Sequence, residues 1–154
     1  MQGQVNTAPL LDLIHLPGLR GNPLRSYPLA RATERFPGAF QDSAAGLLLA
    51  WKEQGDPRLS AVGADLRTLG LSWKVDPRKR GDTAVELHLG RLPQPRQGGA
   101  QDTVNVADMG LGASQVLPVV TALHAARPGQ AVHVEQPEQG VHQALNDAAF
   151  QDAG

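Results

Sequence analysis

The spacing of apolar residues along the chain predicts a mixture of strands and helices. Residues 10–16 are largely apolar, which is typical of a buried strand. Residues 42–54 and 56–69 carry apolar side chains at every third or fourth position, the period of an amphipathic helix, and Asp56-Pro57 suits the start of the second helix. Both helices are therefore expected to pack against a core.

A hairpin is predicted next. Residues 71–75 and 83–89 alternate between apolar and polar side chains, which is the period of a strand. The basic residues 77–82 between them are expected to form the loop of an antiparallel pair. Within that loop, Arg78-Lys79-Arg80 could contact a nucleic-acid backbone, but a run of three charges at a hairpin tip is more often solvated.

A glycine turn that leads into a helix follows later in the chain. After a short strand at 104–108, Gly110 and Gly112 allow positive φ and close approach of a ligand to the backbone. Ser114-Gln115 then opens an apolar helix over about 116–126. The unpaired N–H groups of such a helix start form an anion site, although many glycine turns only cap helices.

The next strand ends in acidic residues. Residues 130–134 are mainly apolar, and Glu135-Gln136-Pro137-Glu138 follows at once. In open α/β sheets, ligands bind beyond the carboxyl ends of the strands. A carboxylate at that position can hold Mg²⁺, usually through water, at the phosphates of a nucleotide. The sequence therefore predicts that the chemistry of this chain is centred on Glu135.

Two arginines lie in the loop that follows the first strand. Arg20 and Arg25 stand among prolines and glycines, where they could reach a phosphate or a carboxylate or could simply be solvated. Residues 91–102 are rich in proline, glycine and glutamine and predict a flexible linker. We accordingly divide the chain into an N-terminal part, 1–103, and a module at 104–154.

Composition narrows the possible functions. The 154 residues are enough for one domain with a real core, and the net charge of −1 argues against a broad nucleic-acid footprint. Cysteine is absent, so thiolate zinc sites and disulfides are impossible and a reducing compartment is expected. No signal peptide and no membrane-spanning run is evident, and we expect a cytoplasmic protein.

The glycine turn and the acidic strand end together resemble a known family. Gly110-Leu111-Gly112-Ala113-Ser114-Gln115 is similar to the signature, and 131–138 to the Walker B box, of AAA-type ATPases of the ABC/SMC-like class, near the branch that includes the OLD-like nucleases. Residues 15–28 resemble a loop of one bacterial subgroup. The resemblance implies an α/β fold, a partial P-loop NTPase-type sheet with flanking helices and an inserted segment of two helices and a β-hairpin.

The resemblance also implies roles for the acidic box. Glu135 would be the Walker B acid that supports Mg²⁺. Gln136 stands where many relatives carry the catalytic glutamate; an amide cannot act as a base, although it can orient an attacking water. Glu138 could replace that base if the geometry allows it. Gln136 and Glu138 are therefore the candidate catalytic residues.

The same resemblance implies a nucleotide-binding set. Gly110, Gly112 and the adjacent Ser114-Gln115 would face an ATP molecule that is bound to a partner subunit. Arg20 and Arg25 would assist from the loop after the first strand. The sequence therefore predicts a homo-oligomer or a partner chain that brings the rest of the ATP site.

The P-loop itself is missing. No Gly-Lys-Ser or Gly-Lys-Thr occurs, and none of the three lysines, Lys52, Lys74 and Lys79, follows a glycine. The chain is thus predicted to be a fragment of an ABC/SMC-like ATPase that uses ATP and Mg²⁺ only with a partner that supplies the P-loop. The alternatives are a non-catalytic remnant or protein-interaction module and, third, a nucleic-acid-binding protein. Enzymatic activity stays open.

Overall fold

The structure, a computed structural model, describes residues 13–18, 21–29, 36, 39–92, 94–95 and 102–138. In chain order its elements are β1 (Leu13–Leu16), β2 (Tyr27–Pro28), α1 (Gln41–Gln54), α2 (Pro57–Thr68), β3 (Val75–Arg80), β4 (Ala84–Gly90), β5 (Thr103–Asn105), a 3₁₀ helix (Val106–Asp108), α3 (Leu111–Ala125) and β6 (Ala131–Val134). Three α-helices and two small sheets make this part of the chain a mixed α/β fold.

The two sheets differ in strand direction. β1 and β6 form a two-stranded parallel sheet in which Leu13 pairs with Ala131 and Leu16 with Val134. The four-stranded sheet is antiparallel throughout, with β3 along one edge of β4, and β2 and β5 at opposite ends of its other edge. Because β1 and β6 come from distant parts of the sequence, the parallel sheet ties the start of the described chain to its end.

A single hydrophobic core connects the helices and both sheets. α1 packs on β3 and β4, α2 packs on α3, and α3 contacts β1 and β6. Trp51 and Phe40 are the largest fully buried side chains, and the core extends from Leu16 of the parallel sheet to Leu89 of the antiparallel one. Residues before and after the predicted boundary at 103 share this core, and the division into two parts stays a prediction.

The start of α2 and the end of α1 follow their sequence signals. α2 begins as predicted, with Asp56 accepting a hydrogen bond from the Arg58 N–H at 2.9 Å and Pro57 as the first helical residue. α1 ends at Gly55, whose φ of 65° is the left-handed conformation that glycine adopts without steric cost. Capping was therefore predictable at these two positions. The prediction was wrong at the start of α1, where Asp42 or Ser43 was expected to cap the helix and Phe40 is the N-cap residue without a side-chain hydrogen bond.

The predicted hairpin exists, but the predicted bounds of its first strand and its turn were wrong. The first strand is Val75–Arg80 rather than 71–75, and the turn is confined to 81–83. Pro77 lies in the strand and not in the basic loop predicted at 77–82. β3 is an edge strand, where a missing donor costs no ladder hydrogen bond, and Pro77 is fully buried in it opposite Leu87.

The helix after the glycine turn starts earlier than predicted. α3 begins at Leu111, so Gly112 lies inside its first turn and Pro118 lies within the helix. Because Pro118 has no N–H group, it gives no helical hydrogen bond to the Ser114 carbonyl. Gly110, the N-cap residue, has a φ of −58°, so the expected positive φ is not observed there.

Two further expectations concern the remaining segments. The predicted linker at 91–102 lies mostly outside the described residues, although the Arg91 N–H donates to the Asp102 carbonyl at 2.9 Å across it. The predicted first strand is described only from Leu13 onwards. None of the helices within the described ranges has the length and apolar character needed to cross a membrane.

Candidate functional site

Glu135 lies directly beyond the carboxyl end of β6. Its N–H donates to the Leu16 carbonyl at 2.9 Å and so continues the pairing with β1 past the last strand residue. One carboxylate oxygen lies 2.9 Å from His15 Nε2, and the other accepts from the Gly18 N–H at 3.3 Å. The backbone thus holds the carboxylate over the ends of both parallel strands.

The surroundings of Glu135 favour its ionised form. The hydrogen bond with His15 is the largest cause that lowers the pKa of Glu135 below its ordinary value, and the bond from the Gly18 N–H adds to it. Desolvation opposes these hydrogen bonds by raising the pKa, and the smaller electrostatic effects of His15 and His133 lower it. Glu135 is therefore a carboxylate with hydrogen bonds to both oxygens.

Two histidines complete a group around this carboxylate. His15 and His133 are paired in register, and their rings stack with centroids 5.6 Å apart. Side chains alternate between the two faces of a strand, so His133 and Glu135 lie on one face of β6. One ring nitrogen of each histidine and one Glu135 oxygen all lie within 4.8 Å of one another.

Sequence reasoning did not identify His15 and His133 as site residues. The signal that could have found them was the period-two spacing of His133 and Glu135 along one strand. Placing His15 beside them requires the parallel pairing of 13–16 with 131–134, and no local pattern specifies that register. Although the segment 130–134 is mainly apolar, His133 is exposed.

Gln136 adopts an unusual backbone conformation next to the acid. Its φ of 47° makes it the one non-glycine residue with positive φ in the described chain. Gly18 leaves room for its side chain, because a Cβ atom at position 18 would lie 2.5 Å from Gln136 Oε1. Backbone strain of this kind clusters at functional sites. The other candidate catalytic residue, Glu138, is exposed and lies outside the histidine group.

The signature-like turn uses its polar side chains within the protein. Ser114 Oγ donates to the Leu111 carbonyl at 2.9 Å, and Gln115 Nε2 donates to the Gly21 carbonyl at 2.8 Å. Gly110 is the N-cap of α3, and Gly112 is buried in its first turn. In this conformation Ser114 stabilises the start of α3, and Gln115 ties it to the loop after β1.

Arg25 makes an ion pair instead of standing free in the loop. Its guanidinium forms two hydrogen bonds with the Asp108 carboxylate, at 3.1 and 2.5 Å. The Arg25 carbonyl also accepts from Asn105 Nδ2 at 2.8 Å. The loop is thus tied to the residues that precede the signature-like turn. Arg20, the other predicted arginine, lies outside the described residues.

The signature-like turn and Glu135 lie at the same end of the fold. α3 packs on β6, and the short connection at 126–130 reverses the chain between them. The start of α3 is therefore near the end of β6. The connection between two hydrogen bonds leads to the same conclusion. Gly18 is hydrogen-bonded to Glu135, and Gly21 is hydrogen-bonded to Gln115. Because three peptide units separate the two glycines, their Cα atoms are at most about 11 Å apart.

A small cavity lies beside this end of the fold. It has a volume of about 200 Å³ and is bounded by the loop at 21–24, the start of α1 and the side of α3. Gln41 at its wall has a buried Oε1 without a hydrogen-bond partner. Pockets for drug-sized ligands enclose roughly 300–1,000 Å³, so this cavity is too small for a nucleotide.

The basic run belongs to β3 and is matched by acidic residues. Arg78 pairs with Asp76 at 2.9 Å, Lys79 with Asp82 at 3.7 Å, and Arg80 with Glu86 at 2.6 Å. These pairings favour the interpretation of the run as a solvated charged surface. Nucleic-acid binding through it stays a prediction.

Comparison with known proteins adds no assignment. The chain matches no protein-family model, and it has no significant match to a curated protein or to a solved structure.

Proposed function

We propose that this chain contributes the signature and Walker B segments of a composite ATPase site of the ABC/SMC-like class, with the P-loop supplied by another segment or by a partner chain. The observation that carries this proposal is the position of Glu135 beyond the carboxyl ends of two parallel strands, with the loop after β1 bonded both to Glu135 and to Gln115 at the start of α3. Ligands of open α/β sheets bind at that edge.

The small size of the parallel sheet supports the need for a partner segment. Parallel sheets are normally larger and covered on both faces. Here, within the described residues, the sheet consists of β1 and β6 alone, and His15 and His133 occupy an accessible face. Unpaired strand edges are templates for further pairing. A P-loop-bearing segment that adds strands to this sheet would complete it.

Mg²⁺ and ATP are the ligands that this proposal implies, and the fit of Mg²⁺ to the present side chains is poor. Both oxygens of Glu135 already accept hydrogen bonds, from His15 and Gly18. The other potential metal ligands nearby are histidine ring nitrogens, whereas Mg²⁺ prefers oxygen ligands. Glu135 can take the Walker B role only after the His15 hydrogen bond opens. Gln136 would then orient a water without removing its proton.

The test is an ATPase assay with a defined partner. Mg-ATP is titrated into the chain with and without a P-loop-bearing protein encoded beside it, and ATP-dependent association and phosphate release are measured. We expect both only in the mixture, with release abolished by Glu135→Gln and increased by Gln136→Glu, which restores a base. Glu53→Gln is the control, since it removes an exposed carboxylate of α1 that has no part in the candidate site.

The second candidate function is a non-catalytic protein-interaction module. It is favoured by the Arg25–Asp108 ion pair, which occupies an arginine that a phosphate site would need. The two candidates give different results in the same assay. Association with a partner that is independent of nucleotide, without turnover and without an effect of Gln136→Glu, would overturn the ATPase proposal and support the interaction module.

A further inference from the structure

Three potential metal-binding side chains converge on the accessible face of the parallel sheet. They are His15 on β1 and His133 and Glu135 at the end of β6, and their donor atoms lie within 4.8 Å of one another. His15 Nε2 and a Glu135 oxygen are already 2.9 Å apart. In a tetrahedral zinc site with bonds of about 2.0–2.1 Å, neighbouring ligand atoms are about 3.4 Å apart. Small rotations of the half-buried His15 ring and the exposed His133 ring would therefore close the group around an ion.

The backbone holds the three side chains in place. The register of β1 and β6 sets His15 opposite His133, and strand alternation sets Glu135 on the same face as His133. Sites on paired strands are held more accurately than sites on loops. The Gly18 N–H donates to the second Glu135 oxygen, an interaction of the kind that orients a metal-binding carboxylate from the outer shell.

The donor set selects the class of ion. Two imidazoles and one carboxylate are typical of zinc sites that keep a fourth position for water, and of other divalent transition metals. Mg²⁺ and Ca²⁺ prefer oxygen ligands alone. We propose that His15, His133 and Glu135 form a binding site for a divalent transition-metal ion of the Zn²⁺ type, with a position left open to solvent. This proposal does not depend on ATP or on a partner chain.

Other histidines of the chain provide an internal comparison. His124 pairs with Asp65 at 2.7 Å and His88 with Glu86 at 3.1 Å. Each of these is a pair of one histidine and one carboxylate. The His15–Glu135 pair differs from these because a second histidine, His133, lies beside it. Within the described residues, these three side chains are the group of three potential metal ligands. The difference between two donors and three is what the experiment has to detect.

The experiment is a calorimetric titration of Zn²⁺ into the chelator-treated chain in the presence of excess Mg²⁺. We expect about one equivalent to bind with Mg²⁺ unable to compete. His133→Ala and Glu135→Gln should each weaken binding at least about tenfold. His124→Ala, which breaks a histidine–carboxylate pair elsewhere on the surface, is the matched control and should leave the affinity unchanged.

Co²⁺ gives a second readout that reports on the ligands directly. We expect visible absorption bands on Co²⁺ binding that His133→Ala removes and His124→Ala retains. Thermal unfolding in chelator establishes that the variants are folded, which is expected because His133 and Glu135 are exposed. An unchanged Zn²⁺ affinity in folded His133→Ala, or an equal loss in His124→Ala, would overturn the proposal. Because no nucleotide is present, neither result bears on the ATPase proposal.

Discussion

His15 and His133 lie directly opposite each other on neighbouring parallel strands, with ring planes inclined by 25° and centroids 5.6 Å apart. This relationship defines the candidate site, since Glu135 is bound to the first histidine and shares a face with the second. The site is thus made by long-range strand pairing and depends on the register of β1 and β6.

Replacement of Gly90 and of Gly18 by alanine should lower the free energy of unfolding by different amounts. A Cβ at Gly90 would overlap the rigid indole ring of Trp73, whereas a Cβ at Gly18 would meet the flexible end of Gln136. We expect Gly90→Ala to lower the free energy of unfolding by about 1–3 kcal/mol, the usual cost of overpacking. Gly18→Ala should cost less than about 1 kcal/mol, because the Gln136 side chain can rotate away. Urea unfolding measures both. Equal losses would show that the space around Gly18 is as constrained as that around Gly90.

The N-cap of α2 should make stability depend on pH. Hydrogen bonds from the Arg58 side chain and backbone lower the pKa of Asp56 below its ordinary value of 3.8. A group whose pKa is lower in the folded state stabilises the fold at pH values above 3.8, and this contribution is lost as the pH falls through the folded-state pKa.

Asp56→Asn separates the charge of this cap from its hydrogen bond. Asparagine still accepts from the Arg58 N–H but cannot ionise. We expect the variant to be less stable than the parent chain at pH 7 and closer to it at pH 2.5, as measured by urea unfolding at the two values. A constant difference between the two proteins over this range would exclude a contribution from ionised Asp56.

Local chemistry made much of the fold predictable. The Asp56-Pro57 start of α2, the alternation in β4 and the helix after Gly110 all act over a few residues, and each is present. Errors arose where tertiary position decides. Pro77 is tolerated because β3 is an edge strand, but a proline is typical of a loop as well as of an edge strand, so the residue alone does not decide between the two.

The candidate site was predicted only in part, because tertiary position also decides which residues meet there. Glu135 could be identified from its place after an apolar strand, and the structure gives it the expected position. His15 could not, since it reaches Glu135 only through the pairing of β1 with β6. Arg25 was predicted to be available to a ligand, and the nearby Asp108 was not considered as its partner. Ion pairing across the chain has no periodic signal.

The effects of replacing Arg25 and Asp108 on the free energy of unfolding should be weakly coupled. Both side chains are largely exposed, at 64% and 47%, so solvent screens their attraction. A double-mutant cycle with Arg25→Ala and Asp108→Ala should give a coupling of about 0.2–1 kcal/mol that declines in 1 M salt. The single variants should lose similar stability. Strictly additive effects would show that the pair does not fasten the loop after β1, and would leave Arg25 available to an anion.

At position 136, the backbone conformation should make a glycine variant more stable than an alanine variant, the reverse of the usual order. With φ at 47°, any residue with a Cβ is strained, at a cost of roughly 1–2 kcal/mol. We expect Gln136→Gly to be more stable than Gln136→Ala by about 1 kcal/mol, since both lose the same side-chain contacts and only glycine relieves the strain. Ala64 in the exposed middle of α2 is the matched control, where Ala64→Gly should destabilise by about 1 kcal/mol. Urea unfolding of the three variants and the parent chain gives both differences. If Gln136→Ala is the more stable of its pair, the backbone after Glu135 is relaxed, and the strain beside the acid has no part in the function of the site.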